Sequence, residues 1–284
     1  MGLTEVVDLL ACPTCAGRAL PDVPLHLEGS TLRCGEGHAY DVARQGYVNL
    51  LGRAAPRNAD TPAMVAARER FLGSGAYDLV ADALGEAAVT VSARVPAVLD
   101  AGAGPGWYLD RVLARLHADD RTVRGLALDV SPAAARRAVR SRWAPGAVVA
   151  DAWDRLPLRT GSVDVVLSVF APRQPAELAR VLAPGGRVLV VSPLPEHLAA
   201  LRRARGLLDV EPGKQERLSA TFGEHLRTVD AVDVRYAVRL DGSIVDDLVA
   251  MGPNAFHRAP EAGAQPGPPA EVDVAVRLST WQRG

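Results

Sequence analysis

Cysteine is scarce in this sequence, and all of it lies near the N-terminus. The 284 residues contain three cysteines, at positions 12, 15 and 34. Disulfide-stabilised secreted domains use even sets of cysteines, so an odd number argues against that framework. The three thiols are therefore left for another role.

Long apolar runs are also absent. No hydrophobic stretch approaches the roughly 20 residues that cross a bilayer, and the first ten residues contain no basic segment of the kind that opens a secretory leader. With 48% hydrophobic residues and a formal net charge of −1, the composition is that of a globular enzyme with one sizeable core. We expect a cytoplasmic protein without membrane contact.

Lysine is almost missing. Lys214 is the only lysine among 32 basic residues. This bias, together with abundant Ala, Val, Gly and Pro, is typical of a GC-rich genome and warns against reading each arginine cluster as a binding patch. The arginines within 136–142 and 202–205 could contact phosphates, but solvated helix faces are the preferred interpretation. Charge alone therefore does not predict binding of nucleic acid.

The most informative segment is an apolar strand that leads into a glycine loop. Asp100 lies near the end of this strand, and glycines follow at alternating positions: Gly102, Gly104 and Gly106. Glycine lets the backbone adopt positive φ and approach a ligand closely. A dinucleotide fingerprint would require glycine where Trp107 stands. An ordinary strand-to-helix turn is the alternative, but the acid and the spacing favour a loop that binds S-adenosylmethionine (SAM).

Acidic residues end the next two predicted strands. Asp129 ends the apolar strand over 125–130, 23 residues beyond Gly106, where a carboxylate can accept both ribose hydroxyls of an adenosyl group. Asp151 follows a third strand over 147–150, and in such folds this acid lies near the adenine. Both acids support the prediction of a SAM site.

The remaining pattern completes an α/β fold. A nearly continuous apolar strand over 162–170 is typical of a buried central strand, and a Leu-x-Pro-Gly-Gly turn at 182–186 leads into a fifth strand. The series resembles class I SAM-dependent methyltransferases and implies their Rossmann-like, seven-stranded sheet. The alternating segments 227–240 and 272–281 should complete this sheet as an antiparallel pair, with a Pro/Gly-rich loop at 260–269 between them.

The cysteines have the spacing of a metal site when they are taken together with a histidine. Two tight turns, separated by 18 residues, carry the pattern Cys-x2-Cys and Cys-x3-His: Cys12, Cys15, Cys34 and His38. Three sulfurs and one imidazole fill the four positions of a structural zinc ion and leave none open for catalysis. His26 is the alternative fourth ligand, and incidental burial of the cysteines is the alternative to metal binding. The segment has few large apolar residues, so we expect zinc to supply much of its folding energy.

Several motifs recur together in one known family. The zinc ligands precede a GYVNLL block at 46–51, an Arg-Phe-Leu-x-x-Gly-x-Tyr motif at 70–77, the glycine loop, and Phe-Ala-Pro at 170–172. Over nearly the whole chain these motifs resemble the bacterial 23S ribosomal RNA guanine-N1-methyltransferases, including the tylosin-resistance branch of actinomycetes. The resemblance implies zinc at the four ligands. It also implies cofactor contacts at four residues: Tyr77, Gly106, Trp107 and His197.

Some of these contacts have competing explanations. Tyr77 could pack on the sheet with Phe71, and His197 could be a surface residue at the start of a helix. Ala103 and Pro105 stand where relatives often have Cys and Glu, but both fit a turn, so cofactor binding is still expected.

The predicted organisation has three parts. A zinc-binding RNA-recognition module covers residues 1–52, and a linker with a cofactor-covering helix covers 53–78. The SAM-dependent methyltransferase domain covers 79–284. The expected partners are a 23S rRNA hairpin loop and, in a homodimer, a second copy of the chain.

The resemblance implies methylation of N1 of a guanine, with resistance to tylosin-like macrolides as a consequence. Guanine N1 must be unpaired and must lose its proton, and no residue has a specific claim to be the base. Residues 170–173 lack the Asn/Asp-Pro-Pro-aromatic signature of exocyclic-amine methyltransferases. A small-molecule methyltransferase of secondary metabolism is the main alternative, and a non-enzymatic module that binds SAM or RNA is the third.

Overall fold

A small antiparallel sheet opens the chain in the computed structural model, which describes residues 2–20, 22–91, 93–252 and 267–284. Two 3₁₀ turns (Leu3–Glu5 and Val7–Leu9) come first. A one-turn helix and three strands follow: α1 (Pro13–Ala16), β1 (Leu25–Glu28), β2 (Thr31–Cys34) and β3 (Ala39–Asp41). The strands pair in the order β1-β2-β3, which brings the two predicted cysteine turns to one end of the small sheet.

The main part of the chain alternates strands and helices. Its first elements are β4 (Tyr47–Asn49), α2 (Pro62–Gly73), α3 (Asp78–Val89), β5 (Ala97–Ala101), α4 (Trp107–Ala118), β6 (Arg124–Asp129), α5 (Pro132–Ala138) and β7 (Gly146–Val149). The later elements are β8 (Val163–Val169), α6 (Pro175–Val181), β9 (Leu182–Pro193), α7 (Ala199–Arg205), α8 (Lys214–Gly223), β10 (Arg227–Leu240), α9 (Gly242–Ala250) and β11 (Ala270–Gln282). The predicted succession of strands and helices is therefore present.

The central sheet has the strand order β10-β11-β9-β8-β5-β6-β7-β4. Strands β4 to β9 run parallel, and β10 and β11 form the predicted antiparallel pair at one edge. The class I methyltransferase fold is confirmed, but the sheet has eight strands rather than seven. The eighth is β4, which follows the zinc ligands in sequence and pairs with β7 at the opposite edge.

Local signals account for several element boundaries. Ser131 caps α5 by accepting a hydrogen bond from the Ala134 amide, and Pro132 occupies the first turn. The predicted Pro-Gly-Gly turn lies inside the bounds of β9, where Gly185 has a φ of +78° and the register with β8 shifts. Helix α9 occupies part of the β10–β11 connection. Most of the predicted loop at 260–269 lies outside the described residues.

Each face of the sheet covers a separate buried cluster. Alternate residues of β5 point to opposite faces, so Val98 packs with α3 and α4, whereas Leu99 packs with the N-terminal segment. Leu25 and Leu32 of the small sheet belong to the same cluster as Leu99. The zinc-ligand region therefore covers one face of the central sheet. Within the described residues, no helix has the length and apolarity that would let it cross a membrane.

Candidate functional site

The four predicted zinc ligands lie together at the end of the small sheet. Their ligand atoms are all within 4.8 Å of one another, and the three cysteines are buried. Cys15 Sγ is 3.7 Å from Cys34 Sγ and 3.3 Å from His38 Nδ1. A tetrahedral ion with Zn–S bonds of about 2.3 Å requires ligand separations of about 3.8 Å, so the arrangement fits zinc. The alternative ligand His26 is exposed on β1 and lies outside this group.

Tyr40 supports the metal cluster, although its role could not be seen in the ligand spacing. Its hydroxyl lies 3.1 Å from Cys12 Sγ and 2.7 Å from the Thr14 hydroxyl. A hydroxyl that donates to a metal-bound thiolate orients the ligand and spreads its charge. The pairing of β2 with β3 places Tyr40 here, and tyrosine next to a metal motif is too common a pattern to predict this contact.

The glycine loop has the backbone geometry that its sequence predicts. Gly102, Gly104 and Gly106 have φ values of +86°, +53° and +81°, in the region that side chains with a Cβ rarely adopt. A Cβ at Gly102 would lie 2.5 Å from Cβ of Ala171. Gly106 forms the N-cap of α4 and approaches Ala138 of α5. The loop therefore needs glycine for its φ angles and, at its first position, for space.

Two carboxylates lie behind this loop. Asp129 accepts hydrogen bonds from the Gly104 and Ser131 amides, both at 2.8 Å, and each oxygen keeps a further lone pair. Burial raises the pKa of Asp129. Asp100 is almost fully buried, and its Oδ1 atom has no hydrogen-bond partner within the described part of the chain. Burial, assisted by the charge of Asp129, raises the pKa of Asp100 to about 7.

A cavity of about 270 Å³ opens at the carboxyl ends of the parallel strands. Asp129 and Asp151 line it, and the segment 56–60 forms part of its wall. A second cavity of about 40 Å³, lined by Tyr77 and Tyr108, adjoins it at the glycine loop. A depression in two parts, with free carboxylate lone pairs in the larger part, fits an elongated cofactor with an adenosyl end and an amino-acid end. The residues present therefore fit SAM.

Tyr77 and His197 form one buried pair beside the smaller cavity. His197 Nδ1 accepts a hydrogen bond from the Ala275 amide at 3.2 Å, so the ring proton lies on Nε2 and is donated to the Tyr77 hydroxyl at 3.1 Å. Burial, with the nearby charge of Arg202, lowers the pKa of His197 to about 4. Tyr77 also packs edge-to-face on Phe71, so it contacts the core and the cavity at once.

Of the other predicted cofactor contacts, Asp151 lines a cavity, whereas Trp107 and Gly106 do not. Asp151 lines the larger cavity and forms an ion pair with Arg53 at 2.8 Å. Trp107 packs against Tyr108 at the start of α4, with the Arg111 guanidinium 5.0 Å above its ring, and neither cavity includes it. Gly106 also lies outside both cavity linings. Of the predicted cofactor residues, five line the two cavities, namely Tyr77, Gly102, Gly104, Asp129 and Asp151, whereas Asp100, Gly106, Trp107 and His197 lie outside both linings.

Sequence reasoning gave no role to two residues that line both cavities. Arg68 of α2 donates to Asp60 at 2.7 Å and to the Met251 carbonyl at 2.9 Å. Phe170 follows β8 with a φ of +51°, and its ring stacks on His197 at 5.7 Å. Strained backbone at a strand exit is a frequent feature of functional sites. The position of Phe170 directly after a buried strand was a sequence signal that it belongs to the site. Arg68 had no such signal, because only the packing of α2 brings it to the cavities.

Known proteins match both parts of the chain. A zinc-ribbon family model described as "RlmA, N-terminal" matches residues 10–53, and a "Methyltransferase domain" model matches 98–186. The 23S rRNA (guanine(748)-N(1))-methyltransferase of Streptomyces fradiae is 45% identical over 259 residues, which cover 90% of this chain and 89% of the relative. A relative from Micromonospora griseorubida assigned to the guanine-N1 class is 41% identical and covers 98% of each chain.

A solved structure matches the fold alone. The methyltransferase in a Haloferax volcanii complex with the activator Trm112 covers 79% of this chain and 98% of that chain, with a TM-score of 0.51 and 18% identity. The fold and the two sites define a class I SAM-dependent methyltransferase with an N-terminal zinc ribbon. With relatives above 40% identity along nine-tenths or more of its length, the chain belongs to the family of 23S rRNA (guanine-N1)-methyltransferases.

Proposed function

We propose that the protein transfers a methyl group from SAM to N1 of a guanine in a hairpin loop of 23S rRNA. The strongest support is the 45% identity to the Streptomyces fradiae enzyme over nine-tenths of this chain. The same identity favours guanine 748 as the target. A hairpin loop fits the chemistry because N1 lies on the Watson–Crick edge and must be unpaired to react.

The cofactor contacts that we assign follow the cavity. Asp129 would accept the ribose hydroxyls with its two remaining lone pairs, and Asp151 would lie beside the adenine. Asp100 lies outside both cavity linings, and its unpaired buried oxygen would act on the amino-acid end through a donor or a water between them. Gly102 and Gly104 line both cavities, where their backbone can approach the ligand.

The remaining predicted residues would act at the amino-acid end of the cofactor or through the shape of the glycine loop. Tyr77 and His197 would enclose the amino-acid end as a hydrogen-bonded pair. Gly106 and Trp107 would act through the shape of the loop and the start of α4, since neither lines a cavity. Arg68 joins the set because it bridges both cavities.

The chain mainly orients the reactants and excludes water. Bound SAM supplies an electrophilic methyl group on its sulfonium. Phe170, 37% exposed at the exit of β8, offers a ring face on which an unpaired guanine can stack. Its ring also contacts Tyr77 and His197, so a base on its outer side would lie next to the cofactor end of the cavity.

Proton loss from guanine N1 requires an acceptor. The carboxylates that line the larger cavity are already engaged: Asp60 by Arg68, Asp129 by two backbone amides and Asp151 by Arg53. We therefore assign no catalytic base among them. Residues 170–173 lack the exocyclic-amine signature, which favours a ring nitrogen as the acceptor of the methyl group.

We assign RNA recognition to the zinc-binding module at 1–52, the cofactor-covering role to 53–78 and catalysis to 79–284. The cavity lining supports this division because it begins at Pro56 and includes none of the described residues of the module. A homodimer and a cytoplasmic location complete the proposal, since ribosomal RNA lies in the cytoplasm of bacteria. Light scattering of the purified protein measures the first of these.

The test is expression in a host that lacks N1-methylguanine at this position, with the modified base mapped by primer extension and nucleoside mass spectrometry. We expect a reverse-transcriptase stop next to one loop guanine, because a methyl on N1 removes a Watson–Crick donor. The added bulk near a bound macrolide sugar should raise the inhibitory concentration of tylosin. Asp129→Ala is the control, with SAM binding weakened by roughly 1.5–3 kcal/mol and no stop.

Other outcomes contradict the proposal. A stop at adenine, or a methyl on an exocyclic amine or a ribose, rules out the N1-guanine assignment. If the RNA carries no new mark although the protein binds SAM, the small-molecule methyltransferase becomes the better explanation.

A further inference from the structure

Arg173 is a largely buried cation without an acidic partner among the described residues. Its Nε donates to the Ala171 carbonyl at 3.0 Å, and its Nη1 atom is buried with no hydrogen-bond partner. Burial lowers the pKa of Arg173 to about 10. A charge removed from water without a counter-ion is costly, so such a group calls for a partner that the described part of the chain does not supply.

Lys214 provides a second positive charge, and none of the ion pairs among the described residues includes it. It is the only lysine of the chain, and it is half-buried at the first position of α8. Burial and then the charge of Arg173 lower the pKa of Lys214, so the Lys214 ammonium lies within the electrostatic field of Arg173. The acid that acts on it, Glu211, forms an ion pair with Arg217 at 2.7 Å and is therefore already engaged.

The adjacent ends of β8 and β9 bring the segments that carry these two cations close together. The Phe170 amide donates to the Val191 carbonyl, so the exits of β8 and β9 are adjacent. Gln215 holds α8 above the end of β9, with 3.1 Å hydrogen bonds to the Ser192 hydroxyl and the Pro193 carbonyl. Lys214 precedes Gln215.

Arg173 follows Phe170 by three residues on the β8 side. Pro172, the neighbour of Arg173 in sequence, lines the larger cavity together with Phe170, so Arg173 lies next to the cavity lining, and Lys214 lies on the β9 side next to Gln215. The N-terminus of α8, whose N-cap Gly213 offers no side-chain acceptor, adds a weaker positive potential at the same place.

We propose that Arg173 and Lys214 together bind one phosphodiester of the RNA chain next to the target nucleotide. This inference rests on the proposed function and deepens it, because it assigns an RNA-backbone contact to the methyltransferase domain itself. A phosphate fixed beside Phe170 would set the register of the RNA, so that the neighbouring base enters the cavity. The same cations could instead hold the carboxylate of SAM, and the experiment separates these two anions.

The experiment compares Arg173→Gln and Lys214→Gln with the wild type. The probe is a fluorescent transcript of the 23S rRNA hairpin, and its Kd is measured by anisotropy over a range of salt concentrations. We expect each variant to raise the RNA Kd about tenfold, as for the loss of one charge-assisted contact. Because the two cations share one phosphate, the slope of log Kd against log salt should fall by about 0.7 when both are replaced and by part of this amount for each single variant. The Kd for SAM, measured by calorimetry, should stay within about twofold of the wild-type value.

Matched controls keep the outcome readable. Arg94→Gln removes an exposed arginine just before β5, at the amino-terminal ends of the parallel strands, whereas the cavity lies at their carboxyl ends. This variant should leave both the Kd and the salt slope unchanged. Lys214→Arg keeps the charge and should restore RNA binding. Thermal unfolding shows whether Arg173→Gln still folds. If it does not, the RNA Kd of Lys214→Gln alone tests the proposal, because Lys214 is the less buried of the two residues.

Two results would overturn the inference. An RNA Kd equal to that of Arg94→Gln would mean that the cations are structural, and a parallel rise in the Kd for SAM would assign them to the cofactor carboxylate. RNA binding is measured without methyl transfer, so these failures differ from failure of the proposed function. That failure would be a wild-type protein that binds the hairpin but leaves its guanine unmethylated.

Discussion

At the scale of single residues, His197 shows how a polar side chain can serve the core and a site together. Its two ring nitrogens are both engaged, one by the Ala275 amide and one by the Tyr77 hydroxyl. The alternative explanation of His197 as a surface residue is therefore wrong, because only 8% of the residue is exposed. Tyr77 is likewise both a core residue and a cavity wall, so packing and a role at the site do not exclude each other here.

His197 makes stability depend on pH. Its pKa of about 4 in the folded protein lies below the unfolded value of about 6.5, so the unfolded chain binds the proton first as the pH falls. The stability that neutral His197 contributes is complete above about pH 6.5 and is lost as the pH approaches 4. Asp100 has a pKa raised to about 7, so its contribution to the free energy of unfolding changes with pH in the opposite direction over this range. The effect of His197 must therefore be measured as the difference between a His197 variant and the wild type.

We expect His197→Gln to lose less stability than the wild type between pH 7 and pH 5, by about 2 kcal/mol. Glutamine can still donate to Tyr77 and accept from Ala275, so the fold should persist. Urea unfolding at the two pH values measures this difference. His225→Gln, at an exposed position after α8, should behave as the wild type, and equal slopes for all three proteins would show that His197 titrates normally.

At the scale of elements, the glycine loop joins β5 to α4 while it lies directly against the exit of β8. The close approach of Gly102 to Ala171 means that loop and exit fit together only without a side chain at this position. The two segments are separated in sequence but lie side by side in the lining of the larger cavity. Any change in their separation should therefore alter the shape of the cavity as well as the packing.

Gly102→Ala should destabilise the protein by about 2–4 kcal/mol and weaken SAM binding, since positive φ and a clash with Ala171 act together. Gly161→Ala is the matched control: φ is +65°, but no atom lies within 4 Å of the added Cβ, so only the backbone strain of about 1–2 kcal/mol remains. Urea unfolding and calorimetry with SAM compare the two. If both lose the same stability and both bind SAM normally, the clash has been relieved by movement.

At the scale of the whole molecule, the zinc-ligand region shares its buried core with the central sheet and does not form a separate core of its own. Cys12 and Cys15 belong to the same buried cluster as Leu99 and Val148 of the central sheet. Strand β4, which follows the metal ligands, is hydrogen-bonded to β7. Metal binding should consequently stabilise the central sheet as well as its own turns.

Cys12→Ser should lose one equivalent of zinc by elemental analysis and lower the melting temperature of the whole protein in one transition. RNA binding should weaken. SAM affinity measured well below the melting temperature should be largely retained, because the cavity lining begins at Pro56. His26→Ala removes the alternative ligand and should keep its zinc. A wild-type protein without zinc, or a variant in which only a separate minor transition shifts, would contradict this account.

The sequence by itself determined the local chemistry. Ligand spacing in two tight turns, positive-φ glycines after a strand, acids at strand ends and Ser131 before Pro132 all depend on residues a few positions apart. Such features are specified by backbone geometry and side-chain type, so the zinc cluster, the SAM loop and the succession of strands and helices could be predicted.

Only the tertiary structure decided which distant residues meet. It placed β4 in the central sheet, Arg68 of α2 in the lining of both cavities and the start of α8 at the end of β9, and it left Trp107 outside both linings. These outcomes follow from which helix faces pack on which side of the sheet. That packing is a balance of many weak long-range contacts, and no short pattern in the chain records it.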